Sequence, residues 1–177
     1  MVKAKLDLTQ EKVKKRVFNF FSKNKIEVFL LAAIIFLAAF FRLWRLPDYM
    51  TFLGDEGRDA LAVYEMINQG RFRLIGPPTS IGQMYLGPLY YYLMLPAMLF
   101  SGLNPVGPAM MVASFGVLAI FLVWRMAHDF FGKVAALVAA SLYAVSPVII
   151  THTRSSWNPN PMPFFSLLAI YSLFRTI

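Results

Sequence analysis

Apolar residues fall in long blocks along this chain, separated by short polar stretches. Residues 29–41 carry no charge, and neither do residues 74–123. Between residues 134 and 153 the ionisable side chains are Tyr143 and His152. Blocks of this length suit a hydrocarbon core of about 30 Å, which a helix of roughly 20 residues spans. They predict helices over residues 26–41, 106–127 and 134–150, a short turn at 128–133, and a further apolar helix starting near Met162. Residues 56–69 read differently, as an amphipathic helix with Ala60, Val63, Tyr64 and Ile67 on one face. Arg58, Asp59 and Glu65 lie off that face. Asp55 is its expected N-cap and Gly70 its stop. Gly76-Pro77-Pro78 then breaks the chain. Residues 84–103, with Pro88, Pro96 and the run Tyr90 to Tyr92, leave two readings open. They form either a kinked span or a juxtamembrane helix covered by protein. The fold class is all-α, a polytopic transmembrane helical protein.

Composition agrees: 58% of residues are hydrophobic and the mean hydropathy is +0.58, above the roughly 45–50% apolar content of soluble domains. Charge adds an orientation. The net charge is +8, and residues 1–25 hold eight Lys or Arg against Asp7 and Glu11. A basic segment ahead of an apolar helix follows the positive-inside rule, so residues 1–25 are expected to be cytoplasmic and no nucleic-acid partner is expected. Val13, Val17, Phe18 and Phe21 have helical spacing and would lie on the membrane surface. The apolar run is followed by Arg42-Leu43-Trp44-Arg45, which is no signal-peptide cleavage site. The chain has no cysteine, which excludes disulfides and thiolate metal sites.

Three polar features can carry chemistry. The first is Gly54-Asp55-Glu56-Gly57-Arg58-Asp59, with four charges within five residues. Its acids can serve as a general base, bind a cation or orient a sugar hydroxyl, or simply favour the positive end of a helix. The second is Tyr85-Leu86-Gly87-Pro88-Leu89-Tyr90, whose tyrosines stack on sugars or sit at the membrane interface. The third is Arg154 with Trp157, Asn158 and Asn160. Arginine pairs with phosphate and asparagine holds hydroxyls, although the same loop can be a plain interfacial one. His152 and His128 stand on different loops and give no metal-ligand spacing.

In this order, with Ser146-Pro147 before Arg154, the features resemble the N-terminal part of the dolichyl-phosphate-mannose protein mannosyltransferase and aminoarabinose-transferase-like group, within the multi-spanning C-type glycosyltransferase fold. The resemblance runs over about residues 40–174. It implies transfer of a sugar from a polyprenyl-phosphate donor to a lipid, glycan or protein acceptor outside the cytoplasm, with inversion. It implies Asp55 as catalytic base with Glu56 beside it. Arg58, Tyr90, Arg154, Trp157, Asn158 and Asn160 are then the candidate substrate-binding residues. It makes residues 84–101 juxtamembrane, within a first outer loop of about 47–104. Residues 151–161 form a second outer loop beside Asp55, and Arg125 and Lys133 flank a cytoplasmic turn. Residues 26–177 are expected to be the N-terminal part of the transferase domain, inactive alone. Related folds differ on metals. No cofactor is expected, and no acid lies between Asp129 and the end of the chain to support a divalent ion bridging both loops. A transporter or channel subunit and a non-catalytic membrane scaffold are the alternatives. The first would place ionisable residues inside the spans.

Overall fold

A computed structural model describes residues 24–79, 81, 82 and 84–176. The surface-helix expectation at Val13 to Phe21 lies outside the described residues. Among them the fold is helical: α1 (Lys25–Leu43), α2 (Leu46–Tyr49), α3 (Gly54–Gln69), α4 (Leu89–Phe100), α5 (Val106–Val145), α6 (Pro147–His152) and α7 (Met162–Thr176). Helices α1 and α5 are long and apolar enough to cross a membrane. The 19 residues of α1 extend about 28 Å at 1.5 Å per residue.

Helix α5 is two arms joined at Gly132, whose φ of 83° and ψ of −179° no helix contains. Glycine adopts that backbone without strain. The break is narrower than the expected turn, because residues 128–131 stay helical. Both arms lie along α1. His128 and Lys133, on either side of the break, sit at Glu27 near the start of α1. At the other end Arg42 donates to the carbonyl of Ala144 at 3.0 Å. Ala136, Ala140 and Ala144 of the second arm pack with Leu31, Ala38, Ile120 and Trp124. Their four-residue spacing puts small side chains on one face, so the neighbouring backbones approach closely. The second arm ends at Val145 rather than running on to residue 150. Ser146 is extended, with ψ of 117°, because the residue before a proline is pushed out of the helical region, and Pro147 then opens α6.

Arg42 is completely buried. Its guanidinium donates to Ala38, Tyr143 and Ala144 carbonyls. The last two belong to the C-terminal turn of the second arm, where a cation meets the negative end of the helix dipole. α7 packs along the first arm through Phe164 and Phe165 on Phe115 and Phe174 on Phe130.

Helix α4 has 12 residues, or about 18 Å, short of a bilayer core. Residues 84–88 are not helical. Gly76 N–H donates to Leu86 O and Leu86 N–H to Pro77 O, forming a small hairpin. A Cβ at Gly76 would lie 2.3 Å from the Gly87 carbonyl, so only glycine permits this approach. The helical part of this block is thus shorter than residues 84–103. Helix α4 packs Tyr90, Tyr91, Met94 and Met98 onto Ala60, Ala62, Val63 and Met66 of α3.

The buried face of α3 differs from the expected one. Tyr64 is exposed, while Met66, Glu56 and Asp59 are buried. The two acids belong to this face because their partners lie in the loop after α6, which an apolar stripe does not register. Asp55 is not the N-cap either. Leu53 is, and its amide donates to Glu56 Oε2 at 3.1 Å, so the Glu56 side chain caps the helix start.

Candidate active site

The start of α3 and the segment 151–160 meet at the Arg42 end of the bundle, although about 100 residues separate them in sequence. Asp55 Oδ2 accepts from Trp157 Nε1 at 3.2 Å. Glu56 Oε1 accepts from Ser155 Oγ at 2.6 Å. Asp59 Oδ2 accepts from Asn158 Nδ2 at 3.5 Å. The three acids at the start of α3 thus each meet a donor of the other loop.

Their environments differ. Asp55 is half exposed and Glu56 is buried; both line a cleft of about 560 Å³ with Thr51, His152, Trp157 and Asn160. Asp59 is fully buried. Burial pushes its carboxyl above the ordinary carboxylate range, although the hydrogen bond and charge of Arg58 pull the other way. Arg58 bridges its two neighbours, at 2.7 Å to Asp55 Oδ1 and 2.9 Å to Asp59 Oδ1. Burial lowers the pKa of its guanidinium, but the hydrogen bond and charge of Asp59, then the charge of Asp55, outweigh this and hold it above the usual value.

The remaining candidates take distinct places. Arg154 Nη2 donates to the Trp44 carbonyl at 2.6 Å, and its guanidinium lies 4.9 Å from the Tyr49 ring centroid. It therefore sits where α1 ends. Asn160 lines the cleft and donates to Ser155 O at 3.0 Å, bracing its own loop. Tyr90 is buried and its hydroxyl donates to Ser156 O, which latches α4 to the second loop. Burial raises the Tyr90 phenol well above its ordinary value, so it stays a donor.

Three residues of this region were not among the predicted site residues, although Asp59 stood within the acidic feature. Asp59 looked like a solvent-facing residue, and no apolar periodicity could have found it. Ser155 carries no signal of its own. His152, which by itself gave no ligand pattern, lines the cleft beside Glu56. Among the described residues no group of three or more His, Asp or Glu is placed to hold a metal ion.

Neither a curated protein nor a solved structure matches the chain. The profile of the dolichyl-phosphate-mannose-protein mannosyltransferase family matches residues 86–177. That region contains Tyr90, Arg154, Trp157, Asn158 and Asn160, and it is the region whose loop closes on Asp55, Glu56 and Asp59. With just over half of its length matched, the chain belongs to the dolichyl-phosphate-mannose-protein mannosyltransferase family, a group of membrane glycosyltransferases.

Proposed function

We propose that the protein transfers a sugar from a polyprenyl-phosphate donor to an acceptor hydroxyl outside the cytoplasm, with Asp55 as the general base. The observation that carries this reading is the cleft itself. Asp55 is the half-exposed acid in it, held by Trp157 and Arg58 with room for a hydroxyl, whereas Glu56 and Asp59 are buried and held by the opposite loop. A base needs hydrogen-bond reach to the proton it removes, and a buried carboxylate has none.

In this reading the acceptor O–H bond breaks and its proton passes to Asp55. The acceptor oxygen bonds to the anomeric carbon from the face opposite the leaving group. The bond from that carbon to the phosphate oxygen breaks, and its electron pair leaves with the polyprenyl phosphate, inverting the sugar. Arg154, at the end of α1 beside Trp44 and Tyr49, stabilises the charge on the departing phosphate. Trp157, Asn158 and Asn160 position the sugar or the loop around it, and Glu56 holds the two loops together. The basic N-terminus and the turn at Gly132 face the cytoplasm, and the Asp55 and Asn160 end faces outward.

In membranes containing the protein, Asp55→Asn is expected to lower initial transfer rates from a polyprenyl-phosphate sugar by about 10²–10⁴, the usual worth of a general base. Parental rates in that variant would leave Asp55 with a structural role alone. Single cysteines at positions 55 and 160 are expected to label from outside the cell, and one at 133 only after permeabilisation. Labelling of 55 and 160 from opposite sides would overturn the orientation.

A further inference from the structure

A second cavity, of about 360 Å³, opens on another face of α3, between that helix and the hairpin. Its walls come from four places. Arg58 and Glu65 project from α3, Arg73 precedes the hairpin, Tyr85 stands on its return strand, and Tyr91 closes the cavity from α4. The volume falls in the range of small-molecule sites, about 300–1,000 Å³.

The chemistry of the walls selects among ligands. Arg73 Nη2 is 2.6 Å from Glu65 Oε2, and Arg58 is held between Asp55 and Asp59. Each guanidinium already has a carboxylate, so the cavity offers no uncompensated positive field to draw a phosphate. It offers fixed charged hydrogen-bonding groups and the exposed ring of Tyr85 instead, with the buried Tyr91 as its floor. A flat aromatic face against C–H edges, with charged groups reaching hydroxyls, forms the combination that suits a neutral sugar. Arg58 also ties this cavity to the first cleft, because the same side chain that lines it donates to Asp55 at 2.7 Å.

We propose that this cavity binds a neutral saccharide, the glycan end of the acceptor, with Arg58 as the side chain shared between it and the Asp55 cleft. The assignment to the acceptor rests on the transferase reading above. A transfer needs two substrates converging on one base, and the lipid-linked donor, with its phosphate, suits the other cleft, to which Arg154 is adjacent. The acceptor class becomes glycan rather than unmodified protein.

The test is saturation-transfer NMR on the chain in nanodiscs, with mannobiose as probe and a threonine-containing peptide and inorganic phosphate as comparisons. Mannobiose is expected to receive magnetisation from tyrosine protons. Tyr85→Ala and Glu65→Gln, on separate elements so that a folding defect in one does not decide the matter, should each weaken it by about fivefold or more. Trp157→Phe, in the other cleft, should leave it. Mannobiose that does not bind, that binds equally to both cavity variants, or that is lost with Trp157→Phe would overturn the proposal. So would a peptide or phosphate that binds in its place. Failure of the base assignment reads out separately: saccharide binding would persist while Asp55→Asn kept its transfer rate.

Discussion

The two ends of the helical bundle both contain carboxylates and cations, yet they are built for different purposes. At the Gly132 end, charges neutralise each other across helices. Glu27 is buried and lies 3.3 Å from His128 Nε2 and 3.6 Å from Lys133 Nζ. Lys133 also donates to Asn24 Oδ1. Asp129 meets Arg125 at 3.0 Å, Arg175 at 3.6 Å and the Tyr171 hydroxyl at 2.6 Å. At the Asp55 end the acids meet Arg58 and, from the other loop, the neutral donors Ser155, Trp157 and Asn158, and one acid is left half exposed in a cleft. Cations surrounding a carboxylate on neighbouring helices lock the helices together. At the Asp55 end one cation serves two acids, the remaining partners are neutral, and one carboxylate stays open to the cleft.

Several substitutions can break or sharpen this contrast. The largest effect belongs to the pair Asp55→Asn and Glu27→Ala. The first should remove about 10²–10⁴ of the transfer rate with little change in unfolding temperature. The second should do the reverse: the rate of the folded protein is retained, while stability falls by about 1–3 kcal/mol as Lys133 loses its buried counter-charge and His128 its carboxylate partner. A thermal melt in nanodiscs beside initial rates separates them, and equal rate losses in both variants would erase the distinction between the ends.

Glu56→Ala comes next. It leaves the Leu53 amide and the Ser155 hydroxyl without their acceptor, which costs about 1–3 kcal/mol in stability. Because Ser155 belongs to the second loop, the transfer rate should fall as well, and Glu56→Gln should fall less. An unchanged melt in Glu56→Ala would remove Glu56 as the tie between loops. Asn160→Ala deletes one neutral hydrogen bond, about 0.5–1.5 kcal/mol or a factor of roughly two to ten in rate. A defect as deep as that of Asp55→Asn would give Asn160 a share in the chemistry itself.

The smallest effect is a pH dependence. Burial raises the Asp59 carboxyl above its ordinary value, so the folded state holds this proton more tightly than the unfolded chain does. The resulting stability is fully present below the ordinary carboxylate pKa and is lost as pH rises through the elevated folded value. Asp59→Asn, which cannot ionise, should flatten that decline in a series of melts taken across the acidic range. A decline of the same steepness in the variant would assign it to other groups.

Much of this was legible from residue order alone. The apolar blocks determined the helical class, and the span at residues 26–41 appears as Lys25–Leu43. Gly70 ends α3 in the left-handed conformation expected of a stop. The order of the acidic turn, the Pro-Leu-Tyr segment and the Arg154 loop pointed to the family that the matched profile shows. These signals are local. They arise from hydrophobic spacing, from the backbone limits of glycine and proline, and from motifs a few residues long.

What tertiary structure alone decided is which acid has which neighbours. Asp55, Glu56 and Asp59 are nearly equivalent as letters, and helix periodicity put Asp59 on the wet side. Packing of α4 against α3 and closure of the loop after α6 bury two of the three and leave the third in the cleft. Ser155 and Asn158, about 100 residues away, become their partners only because Gly132 reverses the chain and brings the second arm back along α1. Long-range contacts of this kind depend on the geometry of every helix between. A polar residue that is buried because it is satisfied leaves no trace in an apolar pattern.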